Sequence, residues 1–569
     1  MTARIPEWKL MGSLLRVTRV KIVNMKNWVK RALVAACAAV VAVLVLASCG
    51  ITGSDDTGAA AAMKGFASAL SKQDAGGAAQ FTTAPGQAGD ALTATLQAMG
   101  ARSVLAEVHD PVEYSDGTAS FALKYTWSWD KGRTFETTSN GTARHLSTGW
   151  KVTWEPSIIY PGLPVGGMLR EVRTDATPAP SVRSRTGKVF MYLQPVNDII
   201  LDPARTPDTA NSARALARTI APIAPLITSD VINGRLAEAN GRAITAVTLR
   251  DTDMEVLAGD PARVAGVTVR RSGALVMADR RLMSPLESGL TNYWQAIRDA
   301  TAGWQVQMVG PGLQPRKLVG DQGPAGPSVF TTVDQGLQLT LGDAAVEVGQ
   351  PATILALDAA SGAILAMAQN TYAAQRNINV DATYPVGTTL NPVFEAVSRA
   401  ARDNQATADA TLDRLGLGVQ FTVPGASAPT PGQPGVTTVD FRPGQSSASM
   451  MNMAALGVAL ARGGAGQFSS VAPYVIKGVP TKVVSGSLGD IDPALINDVR
   501  RAMAATARTG DASDLTRAPG LRALVGTNGP QGPGWFVGIQ GGKVIVVYTE
   551  GPKSGTAALQ VAQKYFTIR

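Results

Sequence analysis

The stretch Tyr384-Pro385-Val386-Gly387-Thr388-Thr389-Leu390-Asn391-Pro392 places the tightest constraint on how this chain can fold. It stands between a strand-like apolar run, 352–367, and a helix-like apolar run, 393–400. A proline and a glycine followed by two hydroxyl residues predict a turn that presents a hydroxyl at a helix N-terminus. Around this turn lies far more chain than one core can use. At 569 residues, and with about 100–200 residues per domain, three or four domains are expected.

The formal charge of +9 has a local origin. Of the 52 basic and 43 acidic residues, eight basic residues and one acid precede Cys49, leaving 44 against 42 in the rest. A nucleic-acid footprint needs a basic face in the body of the protein, so no nucleic-acid partner is expected. Lys26, Lys30 and Arg31 precede an apolar run, 32–47, ending Leu46-Ala47-Ser48-Cys49-Gly50. A positive segment, a short apolar segment and small residues before a cut describe a secretory signal over 1–48. The Leu-Ala-Ser-Cys ending resembles a bacterial lipobox, which implies cleavage before Cys49 and a lipid on its sulfur. The alternative is a retained transmembrane helix, for which the run is short against the roughly 20 residues a span requires. The start codon stays open among Met1, Met11 and Met25. Cys37 would leave with the signal, so neither a disulfide nor thiol chemistry is expected of the mature chain.

Residues 49–59 are small and polar, a tether. Helical periodicity begins at Ala60, with Met63, Phe66 and Leu70 on one side, and is expected to end at Gly76-Gly77; a second helical run covers 91–99. In 121–129 the large apolar residues fall on every second position, as on one face of a half-buried strand. Asn140-Gly141 predicts a hairpin turn, and 150–154 alternates again. Helices followed by a curved antiparallel sheet, closing on Trp154-Glu155-Pro156, resemble the nuclear-transport-factor-like domain that precedes the transpeptidase in resistance-type class B penicillin-binding proteins. The boundaries expected are 60–163. Here also lies the one Ser-x-x-Lys, Ser128-Trp129-Asp130-Lys131. It straddles a strand end and a turn, whereas the nucleophile motif needs a helix to bring i and i+3 to one face. The two histidines, His109 and His145, fall in the same region as surface or sheet residues, so no Ser-His-Asp triad can be assembled further on.

Residues 164–314 resemble the pedestal or dimerisation domain of the same family, with Val182-Arg183-Ser184-Arg185-Thr186-Gly187-Lys188 retaining the end of its arginine-glycine motif; a generic α+β spacer is the alternative. Helical runs are expected at 210–221 and 229–240. The glycine- and proline-rich 315–327 predicts a linker.

From Thr331 the resemblance sharpens. Thr331-Thr332-Val333-Asp334-Gln335-Gly336-Leu337-Gln338 is similar to the first helix of a penicillin-binding transpeptidase domain. The run 351–368 reads as its first hairpin, turning at 359–362, and 443–464 as the helix behind the active site. Val525-Gly526-Thr527-Asn528-Gly529 before Trp535-Phe536-Val537-Gly538 stands where the family has Lys-Thr-Gly. Together these cover most of 328–569. Catalysis in that family uses a serine nucleophile, a lysine one helical turn on as its base, a Ser-x-Asn serine and a Lys-Thr-Gly strand. By the same resemblance Thr388 holds the nucleophile position, a β-branched and more crowded hydroxyl. Asn391 holds the base position with an amide that cannot take a proton. Thr527, Asn528 and Gly529 hold the substrate-binding strand without its charge, and no Ser-x-Asn or Tyr-x-Asn follows Pro392, where 395–415 reads as one helical run. Loss of a positioned base alone costs roughly 10²–10⁴ in rate. Main-chain N–H groups at the nucleophile turn and beside the third motif survive such substitutions and could hold a peptide or lactam carbonyl weakly. Lys553-Ser554-Gly555 reads as a strand-to-helix turn.

The fold expected is therefore α+β and multidomain: a nuclear-transport-factor-like cone, a pedestal, and a transpeptidase-like domain of antiparallel sheet flanked by helices. The resemblance implies a lipid-anchored protein on the extracytoplasmic face of the membrane, binding or scaffolding in peptidoglycan synthesis without catalysing it. An active D,D-transpeptidase using Thr388, or a structural lipoprotein without peptidoglycan contact, are the alternatives. Expected partners are the membrane through Cys49, peptidoglycan stem peptides or β-lactams, and cell-wall synthesis proteins; neither a cofactor nor a metal is expected.

Overall fold

The computed structural model describes residues 58–402, 404–426, 446–527, 529 and 531–568. Cys49, the signal at 1–48, most of the tether, and the start of the 443–464 run lie outside the described residues. The chain divides into two compact units, one running to Val172 and including Gln305–Gly320, the other comprising Arg173–Trp304 and Asp321 onward. Among the described residues no helix is long and apolar enough to cross a membrane.

The first unit opens with α1 (Ala59–Ser71), α2 (Ala75–Gln80) and α3 (Pro85–Met99). Met63, Phe66 and Leu70 of α1 are buried, as their spacing predicts. Gly76 and Gly77 do not end a helix as expected; they lie inside α2, whose N-terminus is capped by the Asp74 carboxylate accepting from Gly77 N–H at 2.7 Å. The four-stranded antiparallel sheet follows in order β1 (Ser103–Glu113), β2 (Thr118–Ser128), β3 (Thr134–Leu146) and β4 (Gly149–Val152). Burial alternates strictly along β2, with Phe121, Leu123, Tyr125 and Trp127 inward. Ser128 ends this strand and Lys131 stands in the following turn with φ +60°, so the Ser-x-x-Lys is not helical. His109 and His145 are exposed strand residues.

Asn140-Gly141 is not a turn, contrary to expectation. Both residues lie within β3, where Gly141 pairs with Phe121. A Cβ on Gly141 would come within 2.6 Å of the Phe121 ring and 3.0 Å of Ile158. The glycine makes room for a ring packed across the strand, so its signal is one of close approach rather than reversal.

In the second unit, β6 (Val182–Arg183), β7 (Val189–Leu201), β8 (Ile244–Arg250), β9 (Val267–Met277) and the later β12 (Val329–Phe330) form a five-stranded sheet in which β7 pairs with β6, β8 and β9, and β12 adds to β6 in parallel. Helices α4 (Thr209–Ile220) and α5 (Ser229–Glu238) pack Leu216, Ile220, Ile232 and Leu236 against Ile199 and Leu201 of β7. After α6 (Leu286–Thr301) the chain returns to the first unit, where β10 (Gly303–Val309) and β11 (Arg316–Asp321) pair in the order β11-β10-β5 with β5 (Met168–Thr174), most of this three-stranded sheet belonging to that unit. The stretch expected to be a linker thus contains a strand.

The rest of the second unit is built on a five-stranded antiparallel sheet. In chain order come β12 (Val329–Phe330), α7 (Gln335–Ala345), the hairpin β13 (Ala352–Asp358) and β14 (Ile364–Gln369), and α8 (Thr371–Gln375). They are followed by β15 (Thr383–Pro385), α9 (Asn391–Ala401), α10 (Gln405–Arg414), β16 (Gln420–Thr422), β17 (Ser447–Ser449), α11 (Met450–Gly463), β18 (Lys482–Ser485) and α12 (Pro493–Thr509). The last elements are β19 (Arg522–Thr527), β20 (Gly534–Gln540), β21 (Lys543–Thr549) and α13 (Ser554–Ile568). The sheet order is β14-β13-β21-β20-β19. Its strands are apolar at nearly every position because both faces are covered. Ile354, Ala356, Phe536 and Val547 pack on α7 and α13, while Leu355, Leu357, Val537 and Val546 pack on the α9–α12 side. Each of the larger of these side chains contributes about 1.5–3 kcal/mol by burial.

α11 is buried on all sides, with Gly457 facing the sheet so closely that a Cβ would lie 2.4 Å from Val544. The expected single helix over 395–415 is two helices, α9 and α10. Arg402 terminates α9 in the left-handed region, and Asn404 caps α10 by accepting from Thr407 N–H.

Candidate functional site

The turn at Thr388 sits at the β19 edge of the five-stranded sheet. β15 delivers it, paired antiparallel with β17 so that Pro385 faces Ser447. The indole Nε1 of Trp535 donates to the Pro385 carbonyl at 2.9 Å, fixing the end of β15. Val386 N–H donates to Ser446 O at 3.0 Å. Gly387 then takes a φ of +53°, in the left-handed region that favours glycine, and Gly387–Leu390 form one 3₁₀ turn leading into α9.

Thr388 is exposed and points to β19. Its Oγ1 accepts from Thr527 N–H at 3.3 Å and donates to Thr527 O at 3.4 Å. Although the sequence predicts a hydroxyl at a helix N-terminus here, Thr388 does not cap α9; the N-cap is Leu390, which offers no side-chain acceptor, and Pro392 occupies the first turn, where a missing N–H costs nothing. The contact with β19 is possible because residue 526 is glycine. A Cβ there would fall 2.4 Å from Thr389 N, 2.6 Å from Thr389 Cα and 2.7 Å from Thr388 Oγ1.

Among the predicted site residues, Thr388 and Thr527 are in direct contact. Asn391 lies exposed in the first turn of α9. Gly529 is exposed beyond the end of β19, and Asn528 lies outside the described residues. The partners of the Thr388 hydroxyl among the described residues are both main-chain atoms, and neither can act as a general base. The Thr527 N–H, a strand amide able to receive a ligand carbonyl, already has the Thr388 oxygen as its acceptor. Among the described residues no cluster of His, Cys, Asp and Glu is arranged to hold a metal ion.

Sequence reasoning missed what lies beneath the turn. One face of the sheet carries a cross-strand row running Gly526, Trp535, Tyr548, Thr353, Gln369. Tyr384 of β15 packs on Tyr548 with ring centroids 4.4 Å apart, and Trp535 meets Tyr548 edge-on at 4.7 Å. The Tyr548 hydroxyl donates to Glu550 at 2.6 Å, and Glu550 pairs with Arg376 at 3.2 Å. Burial first, and then the Glu550 carboxylate, push the Tyr548 phenol far above its ordinary range, so it stays protonated. Burial likewise raises Tyr384, whose Oη donates to Asn379 O. The sequence offers little signal for this row: Trp535 and Tyr548 are joined only by the register of the β20–β21 hairpin, and their partner Tyr384 lies more than 150 residues upstream.

Residues 58–166 match the family described as the NTF2-like N-terminal transpeptidase domain. The match spans α1–α3 and β1–β4 of the first unit. A comparison with curated proteins finds no match for the chain.

Proposed function

We propose that this chain is a penicillin-binding-protein homologue, lipid-anchored through Cys49 on the extracytoplasmic face of the membrane, whose transpeptidase-like region binds or scaffolds in peptidoglycan synthesis and does not catalyse. The reading is supported from the N-terminal side by the match of residues 58–166 to an NTF2-like N-terminal transpeptidase domain. The observation that carries it is the state of the Thr388 hydroxyl. That hydroxyl is engaged with the main chain of Thr527, with an uncharged Asn391 in the next turn and an uncharged Thr527 on the strand. An acyl-transfer nucleophile needs a base within hydrogen-bond reach, about 2.6–3.2 Å between heavy atoms, and Thr527, Asn528 and Gly529 carry no charge with which to receive a substrate carboxylate. The proteins it would contact are those of cell-wall synthesis, and its ligands peptidoglycan stem peptides.

One observation favours the competing reading of an active enzyme, namely that Thr388 is exposed and so within reach of a substrate. Incubation with a fluorescent β-lactam separates the two. The pseudoenzyme reading predicts no covalent label at high lactam concentration. A label that disappears in Thr388→Ala establishes the enzyme instead. Pull-down with muropeptides and with cell-wall synthesis proteins completes the test; capture of neither leaves a structural lipoprotein and overturns the proposal.

A further inference from the structure

At one end of the four-stranded sheet of the first unit lie the β1–β2 turn, 114–117, and the β3–β4 turn, 147–148. Helix α1 starts at this same end. Ala59 N–H donates to the Glu113 carboxylate at 3.4 Å, and a Cβ on Gly58 would lie 3.2 Å from that carboxylate and 3.8 Å from Trp150 Nε1. Register sets Val112 beside Ser120 and Thr118 beside Arg144. These residues are on the outer face, turned away from the helices, since Ala119 and Ala143 of opposite parity are buried. At this end of the sheet Val112 is 47% exposed, Tyr114 50% and Leu146 36%. Two neighbouring acids are already engaged: Glu113 holds the Ala59 N–H, and Asp116 accepts from both the N–H and the hydroxyl of Thr118.

We propose that this end of the first unit rests on the bilayer surface, with Val112, Tyr114 and Leu146 seated at the headgroup boundary. The inference rests on the lipid anchor at Cys49 put forward above. Gly58 is nine residues on from Cys49, and nine extended residues span at most about 30 Å. β3 has 13 residues and ends here at Leu146, so the sheet is about 40 Å long. Standing on its opposite end, the unit would hold Gly58 further above the bilayer than that tether reaches. Lying on the middle of its outer sheet face, it would press the exposed Lys124–Glu136 pair, 3.2 Å apart, into the lipid boundary at a desolvation cost. The end that carries Gly58 meets neither obstacle. Aliphatic side chains beside a tyrosine, whose ring is apolar and whose hydroxyl is polar, suit the boundary between water and acyl chains. Apolar area makes the contact, so a zwitterionic bilayer suffices.

Cys37 lies in the signal and the Cys49 sulfur carries the lipid, so a single serine-to-cysteine change gives the mature chain one free thiol. Ser115→Cys and Ser147→Cys fall in the two turns of the proposed contact, and Ser103→Cys falls at the start of β1, at the opposite end; all three serines are exposed. Each lipidated full chain is labelled with an environment-sensitive dye and reconstituted into phosphatidylcholine vesicles, with and without a headgroup-nitroxide lipid. Dyes at 115 and 147 should shift to the blue and lose most of their emission to the nitroxide, and the dye at 103 should do neither. Val112→Ser, Tyr114→Ser and Leu146→Ser combined should abolish the shift while the protein still floats with the vesicles. If the protein floats but the dyes at 115 and 147 behave like that at 103, or the shift survives the triple substitution, the inference is overturned and the anchor stands. If the protein does not float with the vesicles at all, the anchor itself fails and the inference falls with it.

Discussion

Gly526 and Thr388 meet at the β19 edge of the five-stranded sheet, and two substitutions probe that contact. Gly526→Ala drives a methyl into the backbone at Thr389, which cannot rotate away as a side chain can. A loss of about 1–3 kcal/mol is expected in chemical denaturation. Thr388→Ala removes two long, exposed hydrogen bonds to Thr527, and about 0.5 kcal/mol is expected from the same measurement. A residue further from the site reports on pH. Burial tends to raise the Asp358 carboxyl, but hydrogen bonds from Ser361 Oγ, Ser361 N–H and Ala360 N–H hold it below its ordinary value. A carboxyl lowered in the folded state stabilises above its unfolded pKa of about 3.9, and that stabilisation is lost as pH falls through the folded value. The Tm difference between the wild type and Asp358→Ala should therefore be constant from pH 7 down to about 4 and shrink below it. A difference that grows on acidification contradicts this.

At the scale of elements, α11 holds the region behind the turn together. Ser449 and Asn452 form a reciprocal cap at its start, and the Asn452 amide also donates to Gly416 O at 2.8 Å and Val419 O at 2.7 Å. Asn452→Ala leaves these buried carbonyls without their donor, and a destabilisation of about 3 kcal/mol is expected in denaturant titration. Elements with one dominant period were legible in the sequence. The every-second-residue aromatics of β2 and the apolar hairpin β13–β14 are where the pattern puts them. What misled was local chemistry with two uses. Asn140-Gly141 has a turn's composition but serves a ring packed across the sheet, and the 395–415 run keeps its periodicity through a break set by Arg402 and Asn404. Thr388 was visible as a hydroxyl at a turn. Its engagement with Thr527 was not, because that contact joins residues 139 apart and depends on a glycine whose role is to lack a side chain.

In the molecule as a whole, residues 58–166 match an NTF2-like N-terminal transpeptidase domain, and further along the chain a five-stranded sheet carries the Thr388 turn, held by its own hydroxyl. The proposed anchor has its own test. In a bacterial host that processes lipoproteins, the wild type should partition into membranes and incorporate labelled palmitate, and Cys49→Ser should do neither. Equal membrane association of the two proteins contradicts lipid anchoring at Cys49. The proposed absence of acyl transfer is tested most directly by the intact mass of the purified protein after prolonged incubation with a β-lactam. The mass should be unchanged; an increase equal to one lactam, mapped to a peptide containing Thr388, would show that the turn is still a nucleophile.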